Sequence, residues 1–430
     1  MDAENLKKLI DCSNSCIDGI SRSGLKVELL RPKFINGLDS YVAGDYDFIA
    51  LKDDFCSILK LIFSICKEKG VHFKLIKRKY RKWQVEFFMD SGLERIVYEF
   101  WFSIEMSYFV GDSTKFGVLP ASQLFGNPQF SVNKNSILAC VFITHLFFKK
   151  RDLTTPENTF RSKWFLSEIN GDDVFGRAVI SLLMELSDDQ ISARDACRLA
   201  LLRLAELGFC PASVGLAAEF YRKKSSRISR SIRSRNILPV IGADGSGKGT
   251  ITDVVLSNNP DLFLKYRYKR LFRRNFFYKK IVKWFSGDRI AKNLADEKIS
   301  NLILVFSLLN WYFFRLFNFR KKIVMDRFFV DYLGRGIRLG TDFPHPGKIR
   351  FYRLFNALIP TTCGLFFFNC KTPTLLDRKK ELSEESILFL EDLYCEFIYS
   401  KPFDWVVFLS TENEVESVAS AFSAEFNGNR

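Results

Sequence analysis

Two hydrophobic patterns alternate along the chain. Short blocks rich in β-branched and aromatic residues, "YDFIAL", "KWQVEFFM" and "RIVYEFWFSI", predict strands. Helical spacing governs "SILACVFITHLFFKK", "RAVISLLMELS" and the opening stretch of the chain. After residue 236 the alternation becomes regular. It predicts a strand over Ile237–Ile241, a helix from Gly247, strands over Ile323–Met325 and Gly364–Asn369, a helix over Ser383–Tyr399, a strand over Trp405–Leu409 and a helix from Glu412. Strands alternating with helices imply βαβ units and a mostly parallel sheet.

The two regions meet at "YRKKSSRISRSIRSRN", Tyr221–Asn236. Its serine and arginine content predicts a basic linker over 221–236, between a first unit over 1–220 and a second over 237–430. A length of 430 residues suits two or three domains. Apolar residues make up 47% of the chain, which suffices for real cores and excludes wholesale disorder.

The net charge of +15 is concentrated in two places. Arg222–Arg235 holds seven basic residues and no acid, and Lys265–Arg289 holds ten and one acid, Asp288, so the rest of the chain is near neutral. Such segments must meet phosphates, an anionic membrane surface or nucleic acid. No recognition motif accompanies the charge, which disfavours nucleic acid. The apolar run "LILVFSLLNWYFFRLF" contains Arg315 and falls short of the ~20 apolar residues a bilayer span needs. It reads as a buried helix on the sheet or, with its basic neighbour, as a surface for an anionic membrane or a lipid-linked acceptor.

The ten cysteines are scattered singly, with Cys12 and Cys16 the one close pair and no second pair to finish a zinc site. They read as buried free thiols of a reducing compartment. Asp2, Glu4, Lys7, Lys8 and Asp11 leave no apolar signal region, so the expected location is cytoplasmic.

The sharpest chemistry lies in Gly242-Ala243-Asp244-Gly245-Ser246-Gly247-Lys248, a G-x-x-x-x-G-K loop after an apolar strand. Glycines let several N–H groups converge on phosphate oxygens, and the helix that begins there adds its positive end. Gly242, Gly245, Ser246, Gly247, Lys248, Gly249 and Thr250 are the candidate nucleotide contacts. Gly249 stands where a hydroxyl normally ligates magnesium, and Thr250, one residue on, is the candidate donor. A second short strand ends in Asp326-Arg327-Phe328, with Asp331 five residues beyond Asp326. Arg327 can grip phosphoryl oxygens with two parallel bonds, and Asp326 can orient a metal water or the attacking oxygen.

These motifs carry a resemblance. Lys248-Gly249-Thr250 resembles adenylate kinases, and the Asp-Gly inside the loop resembles thymidylate kinases, which also place Asp-Arg-Tyr where this chain has Asp326-Arg327-Phe328. "LFFFNCKTPTLLDRKKELSEES" resembles the lid region of that family, with Arg378, Lys379 and Lys380 in it, and "WVVFLSTENEVESVASAF" resembles its last strand and helix. The resemblance spans Ile237 to Phe422 and implies a P-loop NTPase fold, a parallel sheet flanked by helices, that uses ATP and Mg²⁺. Lys248 and Arg327 would neutralise the transferring phosphoryl group, Asp326 or Asp244 would orient the acceptor, Thr250 and Asp326 would sit nearest the magnesium, and Arg378 would close over ATP. The polar thymine reader of those kinases is missing from Phe329-Val330-Asp331-Tyr332-Leu333-Gly334, which points to an acceptor other than dTMP alone.

In the first half, Gly37 precedes Asp45-x-Asp47 on a strand, and Glu99, or else Glu86, lies on a later one. Carboxylates two apart share one strand face and can hold Mg²⁺ bearing a triphosphate. This half resembles nucleotidyltransferase-fold proteins, which implies an α+β domain, either a nucleotidyltransferase or an inactive substrate-binding version. His145 reads as a core histidine. Fusions of this type resemble enzymes of bacterial surface-glycan metabolism. The sequence therefore predicts an α/β phosphotransferase whose acceptor is a surface-glycan or lipid-linked sugar, working at the inner face of the membrane. The alternatives are a dTMP kinase and a nucleotidyltransferase.

Overall fold

A computed structural model describes residues 3–31, 33, 45–79, 82–89, 94–110, 113–209, 212–213, 237–258, 264–267, 310–311, 313–314, 317, 323–333, 362–379, 383–401 and 403–428. The predicted linker, Gly37, Lys380 and nearly all of the second basic segment lie outside them. The protein is mixed α/β, built on a large central sheet with helices on its faces.

The first half begins with α1 (Ala3–Arg22), β1 (Val27–Leu29), β2 (Asp45–Ala50), α2 (Phe55–Lys69), β3 (His72–Lys79), β4 (Lys82–Phe88) and β5 (Ile96–Trp101). Gly70, with φ of 64°, closes α2 in the left-handed conformation that favours glycine, and the chain turns directly into β3. The block "RIVYEFWFSI", expected as one strand, is two. The Phe102 carbonyl accepts from the Ala121 amide at 3.0 Å, and the chain leaves the large sheet there for a three-stranded one. That sheet joins β6 (Ser103–Val110), β7 (Ser113–Pro120) and, after six helices, β8 (Ala212–Ser213). The helices are α3 (Ala121–Gly126), α4 (Pro128–Val132), α5 (Lys134–Lys149), α6 (Pro156–Glu168), α7 (Val174–Ser187) and α8 (Ala193–Glu206). Thr155, Asp173 and Ser192 cap α6, α7 and α8 with side-chain oxygens. The central run of α5, Ile137–Ile143, is all apolar and buried against these neighbours.

The second half runs β9 (Ile237–Ile241), α9 (Lys248–Asn258), β10 (Leu264–Arg267), β11 (Ile323–Asp326), α10 (Phe329–Leu333), β12 (Gly364–Asn369), α11 (Thr372–Arg378), α12 (Glu384–Ser400), β13 (Trp405–Ser410) and α13 (Val415–Gly428). The predicted strands and helices fall within a residue of these bounds, except that the last helix starts at Val415 rather than Glu412. Its strands are parallel and lie in the order β10-β11-β9-β12-β13.

The two halves share one ten-stranded sheet. Its order is β1-β2-β5-β4-β3-β13-β12-β9-β11-β10, and the seam is the antiparallel pairing of β3 with β13, Phe73 opposite Phe408. Those two rings stack at 4.0 Å between centroids, and Phe63 stacks on Phe367 at 5.2 Å. Thirteen of the 45 phenylalanines are buried in this continuous core, more than any other residue type in it. Each such ring stabilises the fold by roughly 1.5–3 kcal/mol on full burial. Of the apolar run, Trp311 is buried against Phe328 and Phe329, whereas Phe313 and Phe317 are exposed. Among the described residues no helix is long and apolar enough to cross a membrane.

Candidate functional site

The loop Gly242–Lys248 leaves the carboxyl end of β9, the strand on whose two sides the chain order runs in opposite directions. Ligands of open α/β sheets bind at that switch point. Local sterics select the residues. Gly242 has φ of 139°, and a Cβ there would stand 2.2 Å from the Phe368 carbonyl oxygen, so β12 passes too close for any side chain. Gly247, at φ of 73°, makes the left-handed turn into α9 beside Thr411.

Lys248 is buried, and its ammonium donates to the carbonyls of Gly242 at 2.6 Å and Ala243 at 2.5 Å and to Ser246 Oγ at 3.3 Å. Burial pushes its pKa below the ordinary lysine value, while Asp331 and Asp244 push it back up. An incoming phosphate oxygen would compete with these loop oxygens for the same ammonium. Gly249 and Thr250 are exposed on the first turn of α9, and a Cβ on Gly249 would meet nothing within 4 Å.

Facing the loop is the end of β11. Asp326 is its last residue, in register with Val240 of β9, and Arg327 follows with φ of 73°, a left-handed conformation rare outside glycine. The Arg327 amide donates to the Val240 carbonyl at 2.9 Å, and its guanidinium pairs with Asp244 Oδ1 at 2.6 Å. The loop carboxylate and the strand-end arginine, 83 residues apart, thus hold each other over the loop. Asp331 accepts from the Phe328 amide at 2.7 Å and from the Tyr394 hydroxyl at 2.9 Å, and Tyr394 also reaches the Gly242 carbonyl at 3.3 Å. Burial pushes the Asp331 carboxyl up, and Lys248 opposes it.

On the other side, α11 lies over Gly245, where Arg378 Nη1 donates to the carbonyl at 3.3 Å and Lys379 flanks the backbone. Glu412 holds the start of this helix through the Lys371 amide at 2.8 Å and Thr374 Oγ1 at 3.3 Å. The first half reaches the same place. Lys67, at the end of α2, donates to Thr372 Oγ1 at 2.8 Å and to both oxygens of Glu391 at 2.7 and 2.8 Å. Asn413 Nδ2 donates to the Gly70 carbonyl at 3.1 Å, and the Ser410 amide to His72 Nδ1 at 3.0 Å. Tyr394, Glu412 and Lys67 carry no motif. Only the folded sheet reveals them.

The first-half carboxylates are partly gathered. Asp47 and Glu99 lie side by side in register on the parallel pair β2 and β5, and Asp45 is at the exposed start of β2. Asp47 is already engaged: Arg31 Nε and Nη2 bind Oδ2 at 2.8 and 2.7 Å, and Trp101 Nε1 binds Oδ1 at 3.1 Å. Lys82 pairs with Glu99, and Glu86 instead pairs with Arg95. Burial pushes both Asp45 and Glu99 up. His145 is held down to about 4 by burial and the Arg31 charge, which keeps it neutral as a core histidine would be. Among the described residues, the His, Cys, Asp and Glu groups that gather closely enough to share one ion are Cys12, Cys16 and Cys66, not this trio.

Against known proteins, no protein-family model matches the chain, and no curated protein does. Among solved structures, the chain is similar to deoxyadenosine kinase from M. mycoides with the products dCMP and a flexible dCDP bound, at 17% identity. That match covers 45% of this chain and 99% of that one, with a TM-score of 0.29. It is similar to the same kinase with dATP bound at 13% identity, over 44% and 99% of the two chains, with a TM-score of 0.30. At this similarity, the residues of the chain itself carry the functional reading.

Proposed function

We propose that the protein is an ATP-dependent phosphotransferase of the P-loop kinase kind. One observation carries the reading. A G-x-x-x-x-G-K loop stands at the switch point of a parallel sheet, with Lys248 inside it and the Asp244–Arg327 pair joining it to the neighbouring strand end. In this reading ATP lies along the loop amides with its outer phosphates on Lys248, and Arg378 covers it. Arg327 leaves Asp244 to hold the transferring group, whose negative charge it neutralises. Asp326 or the freed Asp244 orients the acceptor hydroxyl, and Mg²⁺ sits near Thr250 and Asp326. The acceptor we favour is a surface-glycan or lipid-linked sugar rather than dTMP, brought by the basic segments to the inner face of the membrane. Residues 237–430 would do the chemistry, with 1–220 as a substrate-binding partner across 221–236.

The test uses the full chain, α-labelled and γ-labelled ATP in parallel, and a panel of dTMP, deoxynucleosides, nucleotide sugars and lipid-linked sugars; the γ-label reports phosphoryl transfer and the α-label nucleotidyl transfer. Lys248→Ala should abolish label transfer and Asp47→Asn should leave it intact. Loss in Asp47→Asn with activity kept in Lys248→Ala would establish the nucleotidyltransferase alternative, and transfer to dTMP alone would establish the dTMP kinase.

A further inference from the structure

Three thiols distant in the sequence meet inside the first half. Cys12 and Cys16 lie one turn apart on α1 and present the same face. Cys66 projects from the facing helix α2. Each is 0% exposed, their sulfurs all lie within 4.8 Å of one another, and the Cys12–Cys66 separation is 3.7 Å. We propose that Cys12, Cys16 and Cys66 form a buried three-thiolate site for a soft monovalent cation, of which Cu(I) is the best match.

The geometry suits such an ion. Three sulfurs each ~2.3 Å from one centre in a plane stand ~4.0 Å apart, close to the spacing the helices already impose. Among the described residues no fourth His, Cys, Asp or Glu atom joins the group. Structural zinc almost always takes four ligands, whereas thiolate-only surroundings select soft metals. Binding forms three Cu–S bonds and releases the protons of the thiols still protonated, so uptake acidifies the medium. The ion would pin α1 to α2 one residue before Lys67, which touches α11 beside the phosphate loop. The site stands or falls independently of phosphoryl transfer.

The reduced full-length protein is titrated anaerobically with Cu(I) against the chromophoric chelator bicinchoninate. The wild type should withdraw one equivalent. Cys12→Ala and Cys66→Ala should each weaken uptake by at least about 100-fold, since even outer-shell changes cost 10–100-fold. Cys56→Ala, on α2 outside the group, should change nothing. X-ray absorption on the copper-loaded wild type needs no variant to fold, and should show three sulfurs at about 2.3 Å. Equal uptake by wild type and the triple alanine variant, or nitrogen and oxygen in the copper shell, overturns the site.

Discussion

Lys67 ties the two halves together at α11, the helix that lies over the glycine loop, and at Glu391. Replacing it with methionine keeps the aliphatic stem and removes only the ammonium. Lys67 and Glu391 are 4% and 9% exposed, so Glu391 is left buried with neither counter-charge nor the donors it accepts from at 2.7 and 2.8 Å. Breaking one side of a buried pair costs about 3–5 kcal/mol. Protonation sets a ceiling. Burial already pushes Glu391 up, and Lys67 opposes that shift, so the variant takes up a proton rather than bury a bare charge. From an unfolded value of about 4.3, holding that proton at about pH 7.5 costs ~1.4 kcal/mol per unit, roughly 4 kcal/mol in all. Because the folded value lies above the unfolded one, stability is fully present below about pH 4.3 and is lost as pH rises toward the folded value. The expected loss is therefore roughly 3 kcal/mol at about pH 7.5, shrinking to about 1 kcal/mol near pH 5. Urea unfolding of wild type, Lys67→Met and Lys67→Met/Glu391→Met at the two pH values measures this. The double variant should recover most of the loss. A penalty under about 1 kcal/mol that ignores pH, or a double variant no better than the single, refutes the reasoning.

Arg327→Gly removes a non-glycine φ of 73° and a 2.6 Å ion pair, so melting should move little, while label transfer falls by at least about 100-fold; unchanged turnover would remove Arg327 from the chemistry. Gly249→Ser adds a side chain where a Cβ meets nothing within 4 Å, on an exposed helical turn. It should stabilise the fold by about 0.5 kcal/mol in a thermal melt and keep activity, and a large loss of activity would show that phosphate or metal needs the bare backbone there.

The second half was legible because its signals are local. An apolar strand, a glycine loop and a helix start are each written in consecutive residues, and the predicted strands Ile237–Ile241 and Gly364–Asn369 match β9 and β12 end to end. Asp244 and Arg327 could be named as site residues, but not as partners, since pairing across 83 residues depends on strand order. Tyr394 was invisible for the same reason: it reads as one more apolar helix position until α12 brings its hydroxyl to Asp331. The strand His72–Lys79 escaped prediction because lysines break its apolar alternation. Lys74 and Lys77 meet distant groups, Glu425 for the first and the carbonyls of Ile398, Tyr399 and Lys401 for the second. Cys66 completed a sulfur cluster that the Cys12–Cys16 spacing alone does not suggest.

That unforeseen strand gives the second half a covered edge. β13 ends the parallel set, and "WVVFLS" is apolar on both faces, with all but Trp405 buried. Standing at an edge, such a strand offers unpaired backbone groups to any other chain. β3 takes that edge, covers it with Phe73, and sends His72 Nδ1 to the Ser410 amide where β13 gives way to Thr411 and the loop glycines. The same pairing fixes Asn413 on Gly70 and brings Lys67 to α11. A displacement of β3 relative to β13 must therefore reach Thr411, Glu412 and the helix that holds Arg378 on the loop. The first half is placed to set the geometry around the glycine loop without contributing a residue to the loop.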